Sequence, residues 1–312
     1  MINKTENESY PPSLVSVIIP CFNAGETVAE TIISVLKNAR PEINLEIIAV
    51  DDCSSDETLG VLNRFNNKLK IISLKHNAGV SNARNIGIDA ANGNFIAFCD
   101  ADDIWEDDKL AQQIPLFNDP EVGLVCSSGL IFQDGKVIPE KQLNSYAYKR
   151  GGGYFDLLQK NFIVTSSTVV RSEVLKKMKF NSNIRHSEDF DLWLRISKEW
   201  KVGFVEKKLI KYRISDNQAS KNWKAMHESR IRIINDHLKN VTSKKLRRKI
   251  LAGAAYGYAM EFWDIRDFRG GRTWFLKSLR NDMGNFGAWA RFFATLVPKF
   301  ITIKLLSLKN KS

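Results

Sequence analysis

The chain has 312 residues, 44% of them hydrophobic and 26% charged, with 18 Gly and 8 Pro. This is ordinary globular usage at a length that supports a core without staples, so a disulfide-stapled mini-protein, a collagen-like repeat and wholesale disorder are excluded. The formal net charge of +11 is uneven: residues 1–220 hold 26 Lys+Arg against 29 Asp+Glu, whereas 221–312 hold 20 against 6, so a polyanionic partner is expected of the C-terminal third alone.

Residues 1–13 form a polar tail without an apolar stretch behind a basic start, which argues against a secretory signal and for a cytoplasmic chain. Beyond it, strand and helix patterns alternate. β-Branched or aromatic runs of strand length lie at 15–19, 45–50, 69–74 and 95–98. Between them, apolar residues recur at helical spacing over 27–37 (Val28, Ile32, Val35, Leu36), 57–65 (Val61, Leu62, Phe65) and 79–91 (Val80, Ala83, Ile86, Ala90). The alternation predicts an α/β fold, Rossmann-like, with a mostly parallel sheet and helices on both faces. A middle stretch adds a strand-like run at 124–132, the flexible Gly151-Gly152-Gly153, a β-rich segment at 162–170 and a helix over 189–200 with Phe190, Trp193, Leu194 and Ser197 on one face. Residues 221–312 read as helical, basic and aromatic. Cys21, Cys53, Cys99 and Cys126 lie far apart without a CxxC pair and are expected to be reduced and mostly buried.

Ligands of parallel sheets bind beyond the carboxyl ends of the strands, and here those ends are polar. The four strands are followed by Pro20-Cys21-Phe22-Asn23, Asp51-Asp52-Cys53-Ser54-Ser55, His76-Asn77 and Asp100-Ala101-Asp102-Asp103. Three carboxylates within four residues repel one another unless a cation offsets them. Oxygen-only ligands favour Mg²⁺ or Mn²⁺, completed by a substrate diphosphate. The other reading is an acidic turn capping a helix that begins near Trp105. Asp51-Asp52 alone reads as an N-cap for the helix entering at Glu57. Arg84 offers a planar fork to a diphosphate, or forms a surface ion pair. Glu188-Asp189 opens a helix in which Asp191 and Arg195 are spaced as an i,i+4 pair.

In chain order these segments form a series: 15–23, 50–58, Asn77-Ala78-Gly79-Val80-Ser81-Asn82-Ala83-Arg84, 98–103, and Ser187-Glu188-Asp189-Phe190-Asp191-Leu192-Trp193. The series resembles the family 2 glycosyltransferases of the GT-A fold over about 15–220. The resemblance implies a catalytic domain at 14–220, with a donor half at 14–122 and an acceptor half at 123–220, followed by the basic helical region at 221–312. It implies an inverting, metal-dependent transfer from a nucleotide-sugar, expected to be a UDP-sugar, to a glycan or lipid-linked glycan of bacterial-type surface polysaccharide. Pro20 and Asn23 would border the nucleotide, with Glu26 also among the substrate-binding residues. Asp51 and Asp52 would receive the base, Arg84 would lie near the nucleotide, and Asp100 would approach the ribose. Asp102 would bind the Mn²⁺ or Mg²⁺ that bridges the donor diphosphate. Asp189 would be the catalytic base, with Glu188 shaping the acceptor side. Tyr212-Arg213-Ile214 followed by Ser220 resembles the family's mobile segment, with Arg213 as a further substrate ligand.

Other classes fit less well. A sugar nucleotidyltransferase would present a basic Gly-rich loop after its first strand, and 20–26 contains neither Lys nor Arg. A dinucleotide fingerprint is likewise missing there. A non-enzymatic membrane or nucleic-acid scaffold leaves the acidic strand ends unexplained. In the last third, basic residues are interleaved with Phe262, Trp263, Phe268, Trp274, Phe275, Phe286, Trp289, Phe292, Phe293 and Phe300, the mixture of helices lying in a membrane interface. The expected place is therefore the inner face of the cell membrane, with no nucleic-acid partner and an oligomer left open. The apolar stretch 292–308 is interrupted by Pro298, Lys299 and Lys304, too short a run to span a bilayer. A helical subdomain burying these aromatics is the alternative.

Overall fold

A computed structural model describes residues 13–133, 135–143, 153–214, 223–264 and 266–297. It divides into two compact units, Met1–Gly153 with Phe162–Lys221, and Tyr154–Asn161 with Asn222–Ser312. The short helix Tyr154–Gln159 thus belongs with the C-terminal helices, although its sequence interrupts the first unit.

Among the described residues, the first unit is built on a mixed sheet. Strands β1 (Ser13–Cys21), β2 (Ile43–Asp51), β3 (Lys70–Ser73) and β4 (Phe95–Phe98) are parallel in the order β3-β2-β1-β4. The sheet continues through β8 (Val169–Arg171), β6 (Val122–Gln133), β9 (Lys201–Arg213) and β5 (Ile104–Trp105), with β7 (Lys136–Leu143) paired to β6. β8 runs antiparallel to both β4 and β6, and only the β6–β9 pair is parallel in this half. The parallel run predicted from alternating strands and helices is the first four strands, where α1 (Val28–Leu36), α2 (Thr58–Asn63) and α3 (Val80–Ala90) supply the crossovers, and the rest of the sheet is mixed.

The period-2 alternation of β2 sorts its side chains to two layers. Ile43, Ile47 and Ala49 join Val28, Ile32, Val35, Val61 and Leu62 of α1 and α2, while Ile48 and Val50 join Ala83 of α3. Helices thus cover both faces. α3 lies so close to β1 that a Cβ on Gly87 would stand 2.5 Å from Ile18 Cγ2, which leaves glycine as the residue that fits.

Three segments differ from the sequence expectation. No helix begins near Trp105: Ile104-Trp105 pairs antiparallel with Lys211 and Ile210, and the next helix is α4 (Lys109–Gln113). The β-rich 162–170 is largely irregular, with a 3-10 turn at Thr165–Ser167 and strand only from Val169. The long β9 follows α7 (Glu188–Glu199) directly. Chain order is completed in this unit by α6 (Ser172–Lys177).

The second unit holds α5 (Tyr154–Gln159), α8 (Trp223–Leu238), α9 (Lys244–Asp264), α10 (Phe268–Asn281) and α11 (Phe286–Ala294). Its core is aromatic: Ala259, Phe275, Leu279 and Ala288 are buried, with Tyr256, Trp263, Trp274, Trp289 and Phe292 packed around them. No helix among the described residues is long and apolar enough to cross a membrane.

Candidate active site

The carboxyl ends of β1, β2 and β4 meet the start of α7 through a set of long-range hydrogen bonds. The first two strands are joined by Asn23, whose Oδ1 accepts from the Ser55 N–H at 2.9 Å and whose own N–H donates to Ser54 Oγ at 3.0 Å. Pro20 is buried within β1, opposite Val50, whereas Asn23 and Glu26 are exposed in the loop that follows. Asp51 is buried, and its Oδ1 accepts from the Ser54 N–H at 3.3 Å.

Asp52 does not cap the helix that follows it. Its Oδ1 accepts from the Ala78 N–H at 2.7 Å and its Oδ2 from the Gly79 N–H at 2.8 Å, which fixes the entry to α3. Gly79 lies in the left-handed region at φ 86°, where a side chain would be strained. Charge-assisted bonds of this kind contribute about 1.5–3 kcal/mol each. Asp56, further along the loop and just before the N-cap Glu57, accepts from the Thr58 N–H at 3.0 Å in an Asx-type turn that leads into α2.

The three carboxylates after β4 have three different environments. Asp103 is fully buried, accepting from Ser166 Oγ at 2.5 Å and from the Arg213 N–H at 2.9 Å. Burial pushes its carboxyl well above the usual range, and the charges of Asp102 and Asp100 push the same way. Asp100 is paired with Arg84, Oδ1 to Nη2 at 2.7 Å. Asp102 is half-buried at the strand end, and its carbonyl accepts from Arg213 Nε at 2.7 Å. The crowding that called for a cation is thus answered in large part by the protein itself.

Arg84 is the hub. It is 4% exposed and bridges two carboxylates, Nη2 to Asp100 and Nη1 to Glu188 Oε1 at 2.9 Å, with its guanidinium over the Phe180 ring at 5.3 Å. Burial opposes the charge, yet Asp100 and Glu188 hold the guanidinium above its ordinary range. The ion-pair alternative to a diphosphate fork is thus realised, but buried rather than at the surface. Burial raises the Glu188 carboxyl against the pull of Arg84.

Asp189 stands next to this bridge in the first turn of α7, half-buried. Its Oδ1 accepts from the Phe190 N–H at 2.7 Å and its Oδ2 from Thr165 Oγ1 at 3.3 Å. Ser187, just before it, has φ 61°, and Asn23 and Cys53 at the strand ends have φ 49° and 62°. Three of the four non-glycine residues with positive φ among those described thus border this one region, the kind of placement expected where backbone strain serves a site.

Arg213 is drawn inward rather than extended. Its guanidinium lies over the Phe132 ring at 4.4 Å and reaches the Asp102 carbonyl and Glu30 Oε2 at 2.5 Å. Tyr212 and Arg213 end β9, while Ser220 lies outside the described residues. The Asp191–Arg195 pair forms at 2.8 Å on α7. Two residues escaped the sequence reading: Thr165, which holds Asp189, and Ser166, whose hydroxyl joins the Asp100 N–H at 3.0 Å to Asp103. Their signal was a run of four hydroxyl residues, Thr165-Ser166-Ser167-Thr168, in an otherwise apolar stretch, and all four are buried.

The donor chemistry suits a hard divalent ion shared with a substrate. Among the described residues no three His, Cys, Asp or Glu side chains converge into a closed metal centre. Mg²⁺ and Mn²⁺ seldom use one, taking one or two carboxylates and completing the shell with phosphate oxygens and water. Asp102 at the strand end is placed to supply such a carboxylate.

A mixed sheet with acidic strand ends and a carboxylate-headed α7 defines a GT-A glycosyltransferase. The glycosyl transferase family 2 model matches residues 16–179, and the chain belongs to that family. The UDP-Glc:alpha-D-GlcNAc-diphosphoundecaprenol beta-1,3-glucosyltransferase of Escherichia coli is 32% identical over 216 residues, covering 67% of this chain and 80% of its own. Two solved structures share the fold. The 1–349 portion of S. aureus TarS, in complex with UDP-GlcNAc, superposes with a TM-score of 0.65 at 17% identity over 90% of this chain and 88% of that one. The mannosyltransferase PcManGT of Pyrobaculum calidifontis, in complex with GDP-Man and Mn²⁺, superposes with a TM-score of 0.64 at 16% identity over 97% and 80%.

Proposed function

We propose that this glycosyltransferase moves a sugar from a UDP-sugar to a hydroxyl of a glycan or lipid-linked glycan, in one inverting displacement, at the cytoplasmic face of a membrane. The observation that carries the reading is the Arg84 bridge, which ties Asp100, at a nucleotide-side strand end, to Glu188, the neighbour of Asp189. Named for UDP-Glc and a diphosphoundecaprenol-linked sugar, the E. coli relative supports the choice of donor and of acceptor class.

In this reading Asp189 accepts the acceptor's proton as its oxygen attacks the anomeric carbon, and the Thr165 hydroxyl and Phe190 N–H hold the carboxylate in place for it. Glu188 shapes the acceptor side, held by Arg84, whose other nitrogen pairs with Asp100 on the nucleotide side. Asn23, Glu26, Pro20 and the Asp51-Asp52 turn form the nucleotide wall, with Asp52 acting through the backbone of 78–79 that it anchors. Asp100, already committed to Arg84, faces the ribose. Asp102 would hold Mn²⁺ or Mg²⁺, which when bound offsets the charge of the leaving diphosphate. Arg213 closes the same wall by fixing Asp102 and Asp103. In this reading the catalytic domain is the first unit, with its 14–220 stretch interrupted at Tyr154–Asn161, and that short segment joins the basic C-terminal unit.

Thermal unfolding with UDP-Glc, UDP-GlcNAc and GDP-Man, each with and without Mn²⁺, tests the donor and metal together. A rise in Tm for a UDP-sugar that requires Mn²⁺ is expected. A response to GDP-Man alone, or one indifferent to the metal, overturns that part of the reading.

A further inference from the structure

Helix α11 presents apolar side chains on two faces. On one, Ala288 is fully buried, and Trp289 and Phe292 pack against the core cluster of Ala259, Phe275, Leu279 and Ala288. On the other, Phe286 and Phe293, seven residues apart, are 83% and 57% exposed. The flanking turns add Met283, 70% exposed, and Leu296 and Val297. Five of the eleven exposed large apolar residues among those described therefore fall within 283–297. A helix of a water-facing bundle buries one stripe and leaves the rest polar; Phe293 stacks on Trp289 at 5.5 Å yet stays more than half exposed, so packing covers this second stripe only in part.

The second observation is charge. α9 opens with Lys244-Lys245-Leu246-Arg247-Arg248-Lys249, and all five cations are exposed. Cations at a helix N-terminus oppose the helix dipole, so the cluster is not there to stabilise α9. Arg248 Nη2 donates to the Arg280 carbonyl at 3.2 Å, which sets the start of α9 against the end of α10, three residues before Met283. Lys277 and Arg280 are exposed on α10 as well. The basic cluster and the apolar patch are neighbours on one unit.

We propose that these two features form a single docking surface for an anionic lipid bilayer, with Met283, Phe286 and Phe293 entering the headgroup–acyl boundary and the α9 cations lying on the headgroups. The surface gives physical form to the membrane-face location proposed above. A second copy of the chain is the weaker occupant, since a two-fold contact would bring two such cation clusters together.

The test is co-sedimentation of the full chain with vesicles of phosphatidylcholine alone or with about 30% phosphatidylglycerol, at low and high salt. It uses neither donor nor acceptor, so its outcome is separate from that of the proposed reaction. The parent is expected to pellet with the anionic vesicles at low salt and to be released at high salt. Phe286→Ser with Phe293→Ser, and separately Lys244→Glu with Lys245→Glu and Arg247→Glu, should each lower the bound fraction about tenfold or more without unfolding the chain, because every altered side chain is exposed, and the Glu set should if anything raise Tm by complementing the helix dipole. A parent that stays in the supernatant with anionic vesicles at low salt overturns the proposal. So does a folded double-Ser variant that binds like the parent, or one that only turns a sedimenting dimer into a monomer. If a variant does not fold, salt-reversible binding of the parent to anionic vesicles alone decides.

Discussion

Arg84 and Asp100 meet at 2.7 Å in a pair whose arginine side chain is 5% exposed, and the same guanidinium holds Glu188 at 2.9 Å. One cation therefore bridges two carboxylates that stand 88 residues apart in the chain. Removing it leaves both uncompensated in a poorly solvated place. Arg84→Met is expected to lower unfolding free energy by about 3–5 kcal/mol. Arg84→Lys, a point charge without the fork, should recover only part of that. Urea titration of the three proteins checks this, and equal stability of Met and parent would show the bridge to be dispensable.

Asp102 and Asp103 are adjacent, and their substitutions should separate cleanly. Asp103→Ala removes the acceptor of the buried Ser166 hydroxyl and of the half-buried Arg213 N–H, each at a cost of about 1–3 kcal/mol, and should lower Tm. Asp102→Ala should keep the parent Tm and lose the Mn²⁺ dependence of nucleotide-sugar binding. Calorimetry with and without Mn²⁺ distinguishes the two, and an Asp102→Ala protein that binds donor and metal like the parent would remove Asp102 from the metal role.

Asp189→Asn preserves shape, and its amide can keep the Phe190 N–H on its oxygen while donating to the Thr165 hydroxyl, but it cannot take a proton. Turnover is expected to fall about 10²-fold or more, within the usual range for loss of a general base, with donor affinity unchanged. Thr165→Val, which removes the orienting hydroxyl, should give a smaller loss in kcat with little change in KM for the donor. Steady-state kinetics with both variants supply the comparison. Full activity in Asp189→Asn would pass the role to Glu188 or Asp191.

His227 provides a pH signature in the helical unit. Burial, with Arg230 adding to it, holds the imidazole down to about 3, where it stacks on Tyr258 at a centroid distance of 3.2 Å. The unfolded chain takes up a proton near pH 6.5, and the folded chain does not until near pH 3. Stability is thus fully present above about pH 6.5 and falls as pH drops through the window to about 3, by at most about 1.4 kcal/mol per pH unit from this group. His227→Phe keeps an aromatic stack and should flatten the slope between pH 4.5 and 6.5. Urea midpoints across that range provide the measure, and an unchanged slope would exclude His227 as its source.

The local sequence determined the first four strands and their three crossover helices, because hydrophobic periodicity and strand-length apolar runs act over a few neighbouring residues. It also located the polar strand ends and the acidic start of α7, which follow once strands and helices alternate. It did not reveal β9, since Glu206-Lys207-Lys208 interrupts the apolar alternation where the strand is exposed. Nor could it sort Asp100, Asp102 and Asp103, three chemically identical groups whose fates were set by what the fold brought to each. Arg84 reached Asp100, Ser166 with the Arg213 backbone reached Asp103, and Asp102 stayed half-buried at the strand end. Asp52 likewise looked like a cap for its own neighbour and instead anchors a loop 26 residues on. Those assignments required the tertiary structure, because burial and the choice among distant partners depend on how strands pair and helices pack, and no local pattern encodes either.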